Sequence, residues 1–346
     1  MDINNLLQLA AEKKASDLHL LVGQQPILRI DGVLSEAEGL PVLTAPDLQS
    51  FVEVLLNKEQ AATFLNKRDF DLGYQVGDYR YRINFSYAQN NIVIVARVIS
   101  NLSPTLEDLG MPSVIQKLLD LPQGFILITG PTGCGKSTTL AAMINYINKT
   151  RRSNIVTLED PIEYVFTPEK SVVVQRQLGT DMISFAAGLK HILRQDPNVI
   201  MLGEMRDLES IAAAVTLAET GHLVLATLHT YSAAQTIDRI IDIFPPYQQG
   251  QIKSQLSNVL SGIISQRLLP RLSGGRIAAR GVLINNAAVA NLIREGKIAQ
   301  ISTAIETGSN VGMITLDKHI KELYQTGEID REVALNNMTD TNMLDA

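Results

Sequence analysis

Hydrophobic and polar positions follow two different rhythms along the chain. Before residue 100, apolar positions have helical spacing in two segments, 4–15 and 47–67. Strand-like runs lie between and after them at 26–34, 79–86 and 91–99, and the first of these is divided into two short strands by an Asp-Gly turn. This mixture predicts a small α+β unit.

After residue 112, apolar runs rich in β-branched residues alternate with helical patterns. The predicted strands are 124–130, 154–160, 198–204 and 222–229, and the predicted helices are 136–149, 184–195, 207–220 and 232–244. Such alternation is typical of βαβ units around a buried, largely parallel sheet. A further helical segment is expected at 248–269, then more helices and a mobile polar tail at 337–346.

The change of rhythm suggests two domains, 1–100 and 113–346, which the segment 101–112 joins as a linker with Pro104, Gly110 and Pro112. The N-terminus has neither a signal-peptide pattern nor a long apolar run, so no transmembrane segment is expected. A formal net charge of −6 argues against a nucleic-acid partner. The single cysteine, Cys134, rules out an internal disulfide and a cysteine-rich zinc site, which fits the cytoplasm.

The segment "GPTGCGKST" (130–138) carries the strongest chemical signal. It fits G-x-x-x-x-G-K-[ST], follows an apolar strand and opens a helix, which is the setting of a phosphate-binding loop. The candidate nucleotide-binding residues are Gly130, Thr132, Gly133, Cys134, Gly135, Lys136, Ser137 and Thr138. In this motif the lysine reaches the β- and γ-phosphates and the serine hydroxyl binds Mg²⁺. Cys134 occupies a variable position and is assigned no redox role.

Carboxylates follow two of the predicted strands. Glu204 ends "NVIMLGE", where a neighbouring parallel strand would place it beside the phosphates to hold Mg²⁺, directly or through water, or to polarise the attacking water. Glu159, Asp160 and Glu163 lie close together in "LEDPIEY", and the alternative for them is a solvated loop.

The run "GHLVLATLHT" (221–230) has a histidine near each end. On one strand His222 and His229 would face opposite sides and lie about 23 Å apart, so they cannot share a metal ion. His229 is at the carboxyl end and can sense a γ-phosphate. For His222, a hydrogen-bonded residue at the strand start is the stronger interpretation.

Together these segments resemble the sequence motifs, or boxes, of the type II/IV secretion and type IV pilus motor ATPases, and within that family those of the pilus-retraction branch. The four matching boxes are "GPTGCGKST", "TLEDPIEY", "VIMLGEMRD" and "GHLVLATLHT". The N-terminal "ASDLHL", "RYRIN" and the strand with Arg97 also match, so the resemblance covers about residues 1–325.

The resemblance implies a homohexamer of a PAS-like N-terminal domain and a RecA-like P-loop ATPase domain with C-terminal helices, with ATP or ADP and Mg²⁺ as ligands. It implies Glu204, Glu163 and His229 as catalytic residues. Arg82 and Arg97, and with them Arg80 on the same strand face, would reach phosphates from the N-terminal domain. For these arginines the alternative is a solvated strand surface.

The resemblance further implies a cytoplasmic protein, peripheral at the inner-membrane base of the pilus machine, where a platform protein and a paralogous motor ATPase are candidate partners. Retraction fits better than extension because the chain lacks a four-cysteine element. The segment "AAVANLIREGKI" (287–298) resembles a C-terminal box of the retraction branch but departs from it at Ala290. This departure weakens the expectation that the chain drives retraction alone. A DNA-translocating RecA-like motor, a secretion or pseudopilus ATPase and a nucleotide-gated assembly protein remain alternatives.

Overall fold

The computed structural model describes residues 1–30, 32–77, 79–99 and 104–344. The chain divides into two compact units. One consists of Met1–Leu102 together with Pro161–Val165, and the other of Ser103–Asp160 and Phe166–Ala346. Each is built around its own sheet.

The first unit is a six-stranded antiparallel sheet in the order β3-β2-β1-β6-β5-β4. Its strands are β1 (Asp17–Leu21), β2 (Ile27–Ile30), β3 (Val33–Glu36), β4 (Asp69–Val76), β5 (Tyr79–Ala88) and β6 (Asn91–Ile99). Its helices are α1 (Ile3–Glu12), α2 (Ala45–Leu55) and α3 (Lys58–Lys67).

Alternation along the strands gives this sheet one apolar face. Ile83 of β5 and Ile94 of β6 are fully buried and belong to one hydrophobic cluster with residues of the three helices. The hydroxyl of Tyr81 donates a hydrogen bond of 2.8 Å to the carbonyl of Leu7, and burial raises the pKa of Tyr81 to about 12. The predicted α+β unit is therefore present.

The predicted helix at 47–67 is wrong in one respect, because two helices occupy it. The break lies at Asn57, whose side chain accepts a hydrogen bond from the backbone of Gln60, while the Gln60 side chain caps the Asn57 N–H in return. This reciprocal capping box starts a new helix inside an otherwise continuous apolar pattern. Strands β1 and β4 are not among the predicted elements. Asp31, in the predicted turn, lies outside the described residues.

Asp17 is a nearly buried carboxylate in the first unit that pairs with an arginine. Its side chain is nearly buried and accepts hydrogen bonds from Ser16 at 2.8 Å and from Arg97 at 2.9 Å. Burial raises the pKa of Asp17, but the bonds from Ser16 and Arg97 outweigh it and hold the pKa below its ordinary value. The ionised form therefore stabilises the fold.

Asp17→Asn is expected to lower the free energy of unfolding of this unit by about 1–2 kcal/mol at pH 7. Because the folded-state pKa is depressed, the stabilisation is complete above the unfolded value of about 3.9 and is lost as the pH falls through the folded value. Hydrogen exchange of β1 and β6 in urea at pH 7 and near pH 3 measures it. Asp71→Asn is the control, since that carboxylate is half exposed and lies 3.6 Å from Arg82. An equal loss at both pH values for Asp17→Asn would contradict the account.

The second unit contains a seven-stranded sheet in the order β13-β12-β7-β11-β10-β8-β9. Its strands are β7 (Gly124–Thr129), β8 (Asn154–Glu159), β9 (Val172–Gln177), β10 (Val199–Leu202), β11 (Leu223–Leu228), β12 (Leu260–Pro270) and β13 (Arg276–Ile284). Its helices are α4 (Val114–Leu119), α5 (Lys136–Thr150), α6 (Phe185–Ile192), α7 (Leu208–Glu219), α8 (Ala233–Asp242), α9 (Pro246–Val259), α10 (Ala287–Glu295), α11 (Ile301–Thr307), α12 (Leu316–Gln325) and α13 (Arg331–Asn337).

All neighbouring strands of this sheet are parallel except β13, which pairs with β12 in the antiparallel sense. Strands β7, β10 and β11 are buried at every position. Full burial explains why their sequences are continuous apolar runs rather than alternating ones. The predicted fold class, with a mainly parallel sheet and C-terminal helices, is confirmed.

Three predictions for this unit are wrong. The segment 248–269 is a helix only to Val259, and the rest forms β12 and inserts beside β7. Strands β9 and β13 are absent from the predicted elements. The predicted mobile tail is packed against the domain as far as residue 344, because Met338 and Leu344 are buried in a small cluster with α12. Apolar runs of this length do not distinguish a buried strand from a buried helix.

Segment 104–112 of the predicted linker contains turns but no helix or strand, and 101–103 lie outside the described residues. Within the described ranges, no helix is both long and apolar enough to cross a membrane.

Candidate functional site

Four loops meet at one edge of the second sheet. Strands β7, β11, β10 and β8 are adjacent and parallel, so the segments after their carboxyl ends lie at the same edge. These segments begin at Gly130, His229, Gly203 and Asp160. The structure thus brings together the predicted loop, Glu204 and His229.

The loop after β7 has the backbone geometry of an anion nest. Gly133 and Gly135 have φ of 78° and 87°, the left-handed region that glycine tolerates. Gly135 is the N-cap of α5 and has no side chain, so the N–H groups of the first helical turn are not capped by it. Together with the positive end of the helix dipole, this geometry fits a phosphate group.

Gly130 is held against the neighbouring strand. A Cβ added there would lie 2.3 Å from the backbone oxygen of Gln266 and 2.6 Å from Sγ of Cys134. Cys134 is itself buried, and burial raises the pKa of its thiol. The cysteine is therefore part of the packing beneath the loop.

Lys136 and Ser137 open α5 at the end of the loop. The ammonium group of Lys136 is half-buried and donates hydrogen bonds to the carbonyls of Gly130 at 2.8 Å and Pro131 at 3.0 Å. The cation is thus folded back onto the backbone of the loop. Thr138 follows in the same helical turn.

Glu204 and His229 form the second half of the site. The Oε1 atom of Glu204 lies 2.9 Å from Nε2 of His229, and its Oε2 atom accepts a hydrogen bond of 2.8 Å from Arg206. The other ring nitrogen of His229 lies 3.5 Å from the hydroxyl of Thr132 in the phosphate loop. His229 therefore links the loop to the carboxylate.

The charge of Glu204 is stabilised by its neighbours. Partial burial raises the pKa of Glu204, but the hydrogen bond and charge of Arg206, followed by those of His229, outweigh it and lower the pKa. Glu204 is consequently ionised at neutral pH. An ionised carboxylate at this position can accept a proton from water or bind a cation.

The other sequence candidates differ in their surroundings. His222 lies at the amino end of β11, where its Nδ1 atom is 2.9 Å from the carbonyl of Leu217 at the end of α7, so it is a hydrogen-bonded residue at the strand start. Glu159 is buried and accepts hydrogen bonds from Thr157 at 2.6 Å and Gln175 at 3.0 Å. Glu163 is half-buried in Pro161–Val165, the segment that groups with the first unit.

Arg82 and Arg97 lie opposite each other on β5 and β6, in a cross-strand row that continues through Asp17 to Arg29. Each of the two has a carboxylate partner within the first unit. Arg97 contacts Asp17 at 2.9 Å, and Arg82 lies 3.6 Å from Asp71. The side chain of Arg97 is largely exposed and that of Arg82 is partly exposed, so their terminal N–H groups can still be offered to a ligand.

Gln266 is a site residue that the sequence did not reveal. It is buried on β12, donates a hydrogen bond of 2.7 Å to the carbonyl of Cys134 and accepts one of 3.0 Å from Thr139. One side chain thus ties the phosphate loop and α5 to the sheet. The signal that could have revealed it is a lone glutamine in the apolar run 260–269, where the pattern predicts a helix.

Gln266→Leu is expected to weaken ADP binding about tenfold, because it leaves the Cys134 carbonyl and the Thr139 hydroxyl without a partner in a buried place. Titration calorimetry with ADP measures the change. Gln251→Leu on the exposed surface of α9 is the matched control and should bind ADP like the wild type. Equal affinity of both variants would show that Gln266 does not shape the loop.

Among the described residues, no group of three or more His, Cys, Asp or Glu side chains is placed to hold a metal ion. A hydroxyl and a carboxylate, as in Ser137 and Glu204, suit a Mg²⁺ ion that takes its remaining ligands from phosphate and water.

Comparison with known proteins finds relatives that match almost the whole chain. A family model described as "Type II/IV secretion system protein" matches residues 1–338. The "Type IV pilus retractation ATPase PilT" of Pseudomonas aeruginosa is 44% identical over 335 residues, which cover 96% of this chain and 97% of that protein. The "Twitching motility protein" of Neisseria gonorrhoeae is 44% identical over 311 residues, 89% of this chain and 83% of that protein.

A solved structure is similar over the full length. The crystal structure of the "Pilus Retraction Motor PilT and Bound ADP" has a TM-score of 0.93 and 42% sequence identity, and the match covers 100% of this chain and 99% of that one.

Proposed function

The chain belongs to the type II/IV secretion system protein family, and we propose that it is a motor ATPase that hydrolyses ATP to drive type IV pilus retraction. The observation that carries the proposal is the placement of the phosphate loop and the Glu204–His229 pair at one sheet edge, linked through Thr132. The relatives named for pilus retraction and twitching motility support the biological role.

Each part of the site has a proposed task. The nest at Gly133 and Gly135 and the first turn of α5 bind the β-phosphate, and Lys136 moves from the loop carbonyls to the β- and γ-phosphates. Bound Mg²⁺ would neutralise phosphate charge, and Ser137 and Glu204 would hold it, Glu204 directly or through water. Glu204 accepts the proton of the attacking water, and His229 orients Glu204 and donates to the γ-phosphate.

The roles proposed for the remaining residues, the domains and the assembly are based on the family to which the chain belongs. Glu163 is proposed to assist Glu204 in preparing water and metal, and Arg82 and Arg97 to reach phosphates with their exposed guanidinium groups. The proposed domains are a PAS-like domain at 1–100, a linker at 101–112 and a RecA-like ATPase domain at 113–346. We propose a homohexamer, cytoplasmic and peripheral at the inner membrane, that acts on a pilus platform protein.

Position 290 bears on how the motor is used. Ala290 lies on α10 beside the exposed Asn291, where it presents no charge to a partner. A second, paralogous motor ATPase would supply the charged contact that α10 lacks at position 290. The proposal therefore includes cooperation with such a partner during retraction.

Steady-state ATP hydrolysis by the purified protein, with and without double-stranded DNA, tests the proposed activity. A pilus motor should hydrolyse ATP at the same rate in both conditions. Strong stimulation by DNA would favour a DNA-translocating RecA-like motor instead, and binding of ATP without turnover would favour a nucleotide-gated assembly protein.

A further inference from the structure

Thr227 is a buried polar residue near the carboxyl end of β11, two positions before His229. It is 2% exposed and lies in the run "LVLATL", whose other side chains are apolar and also buried. A buried hydroxyl costs free energy unless it forms a hydrogen bond, so its partner shows what the side chain stabilises.

Two hydrogen bonds join Thr227 to the chain on either side of Glu204. The hydroxyl of Thr227 donates to the carbonyl of Gly203 at 2.6 Å. The backbone carbonyl of Thr227 accepts a hydrogen bond of 3.2 Å from the N–H of Met205. These bonds, which we call the Thr227 clamp, hold the two planar peptide groups that are attached to Cα of Glu204. Holding both planes fixes the backbone torsions of Glu204 and so the direction of its Cα–Cβ bond.

The bond to Met205 marks the place where the chain leaves the sheet. Strands β10 and β11 are parallel, and the N–H of Leu223 donates to the carbonyl of Asn198 at the start of the pair. Partners in a parallel ladder advance by two residues on each strand, so regular pairing would bring the N–H of Glu204 to the carbonyl of Thr227. The observed donor is Met205, one residue later. Glu204 is therefore the residue at which the chain turns out of the ladder.

The other side of this turn is held by the neighbouring strand β8. The N–H of Gly203 donates to the carbonyl of Leu158 at 2.9 Å. A Cβ added at Gly203 would lie 3.4 Å from the same carbonyl oxygen, so the two backbones are in close approach. The turn that carries Glu204 is thus bonded to the strands on both of its sides.

The Thr227 clamp also joins Glu204 to the segment that carries His229. The Oε1 atom of Glu204 lies 2.9 Å from Nε2 of His229, which follows Thr227 by two residues. The ion pair of Glu204 with Arg206, by contrast, involves an arginine side chain that is 67% exposed, and such a pair is weak. The buried bonds of Thr227 are therefore the main constraint that keeps the carboxylate beside the histidine.

We propose that Thr227 is a positioning residue for Glu204. Its hydroxyl and carbonyl hold the carboxylate in the place from which it accepts the proton of the attacking water. A displacement of about 1 Å at a reacting group can cost about 10²-fold in rate, so a clamp on the backbone of this turn affects kcat. The inference rests on the proposed function of Glu204, whereas the hydrogen bonds of the clamp do not.

Thr227→Val removes the hydroxyl and keeps the shape of the side chain. We expect kcat for ATP hydrolysis to fall about tenfold, with KM and the affinity for ADP unchanged because the phosphate loop keeps its contacts. Thr227→Ala should show the same loss, and Thr227→Ser, which retains the hydroxyl, should stay near the wild-type kcat. Ser257→Ala is the matched control and should retain wild-type kcat, since that buried hydroxyl donates to the carbonyl of Ser254 at 2.7 Å in α9.

A double variant distinguishes positioning of Glu204 from a general loss of structure. If Thr227 acts through Glu204, adding Thr227→Val to Glu204→Gln should lower the remaining single-turnover rate by less than about twofold. If Thr227 supports the fold in general, a loss of about tenfold should recur in the Glu204→Gln protein. Single-turnover assays with enzyme in excess over ATP measure these low rates.

Hydrogen exchange tests the Thr227 clamp without any hydrolysis. In the full-length, nucleotide-free protein, Thr227→Val should speed exchange of the Met205 amide about fivefold, because the turn loses its second bond to β11. Thr227→Ser and Ser257→Ala should leave this rate unchanged. Mass spectrometry of the peptide that contains Met205 measures it.

Wild-type kcat in both Thr227→Val and Thr227→Ala, a recurring loss in the double variant, or an unchanged exchange rate would overturn the positioning role. These results are distinct from a failure of the proposed function, which would appear as intact hydrolysis in Glu204→Gln. In that case the role of Thr227 in catalysis fails as well, although faster exchange in Thr227→Val would still show the clamp.

Discussion

Replacing Glu204 with glutamine is expected to lower kcat for ATP hydrolysis by about 10²–10⁴-fold, the usual contribution of a general base. Glutamine has nearly the same shape, but it has no charge and cannot accept a proton from water. It also offers only one acceptor oxygen, so it cannot satisfy both His229 and Arg206, which now contact Oε1 and Oε2. The loss should fall on the chemical step.

KM and the affinity for ADP should change little in Glu204→Gln, because the phosphate loop and Lys136 are untouched. Steady-state kinetics together with ADP calorimetry separate the two effects. Glu209→Gln in the first turn of α7 is the matched control, since it removes an exposed carboxylate close in sequence. If both variants retained wild-type kcat, Glu204 would not be the base.

Lys136→Ala is expected to have the other large effect, a loss of hydrolysis of about 10²–10³-fold together with weaker nucleotide binding. The half-buried ammonium group is the cation of the nest, and its present hydrogen bonds to Gly130 and Pro131 hold it there. Alanine removes the charge that would meet the β- and γ-phosphates. Unlike Glu204→Gln, this variant should raise KM as well as lower kcat.

Lys149→Ala provides the control for Lys136→Ala. It lies in the last turn of the same helix, is half exposed and is 3.9 Å from Glu169, so its loss should leave kcat and KM unchanged. Measurement of both constants over a range of ATP concentrations decides the point. A Lys136→Ala protein with wild-type kinetics would mean that the loop does not bind the reacting phosphates.

The phosphate loop, Glu204 and His229 could be found from the sequence because local rules determine their positions. A glycine-rich motif between an apolar strand and a helix determines the geometry of Lys136, and the carboxyl ends of parallel strands share one edge of the sheet. These two rules are sufficient to place Glu204 and His229 beside the loop. The strand direction also separates His222 from them.

Gln266 and Arg206 could not be found in this way. The position of Gln266 depends on β12 pairing with β7, a contact across more than a hundred residues, and the apolar run around it resembles a buried helix. The pairing of Arg206 with Glu204 depends on how the chain turns after β10. Similarly, the break at Asn57 is caused by one capping box within a continuous apolar pattern.

The central claim is that ATP hydrolysis by this chain drives pilus retraction. Its most direct test is the retraction of fluorescently labelled pili in cells whose only copy of the gene encodes Glu204→Gln, at the same protein level as wild type. The account predicts that pili still extend but retract at a small fraction of the wild-type frequency. Retraction at the wild-type frequency and speed in these cells would contradict it.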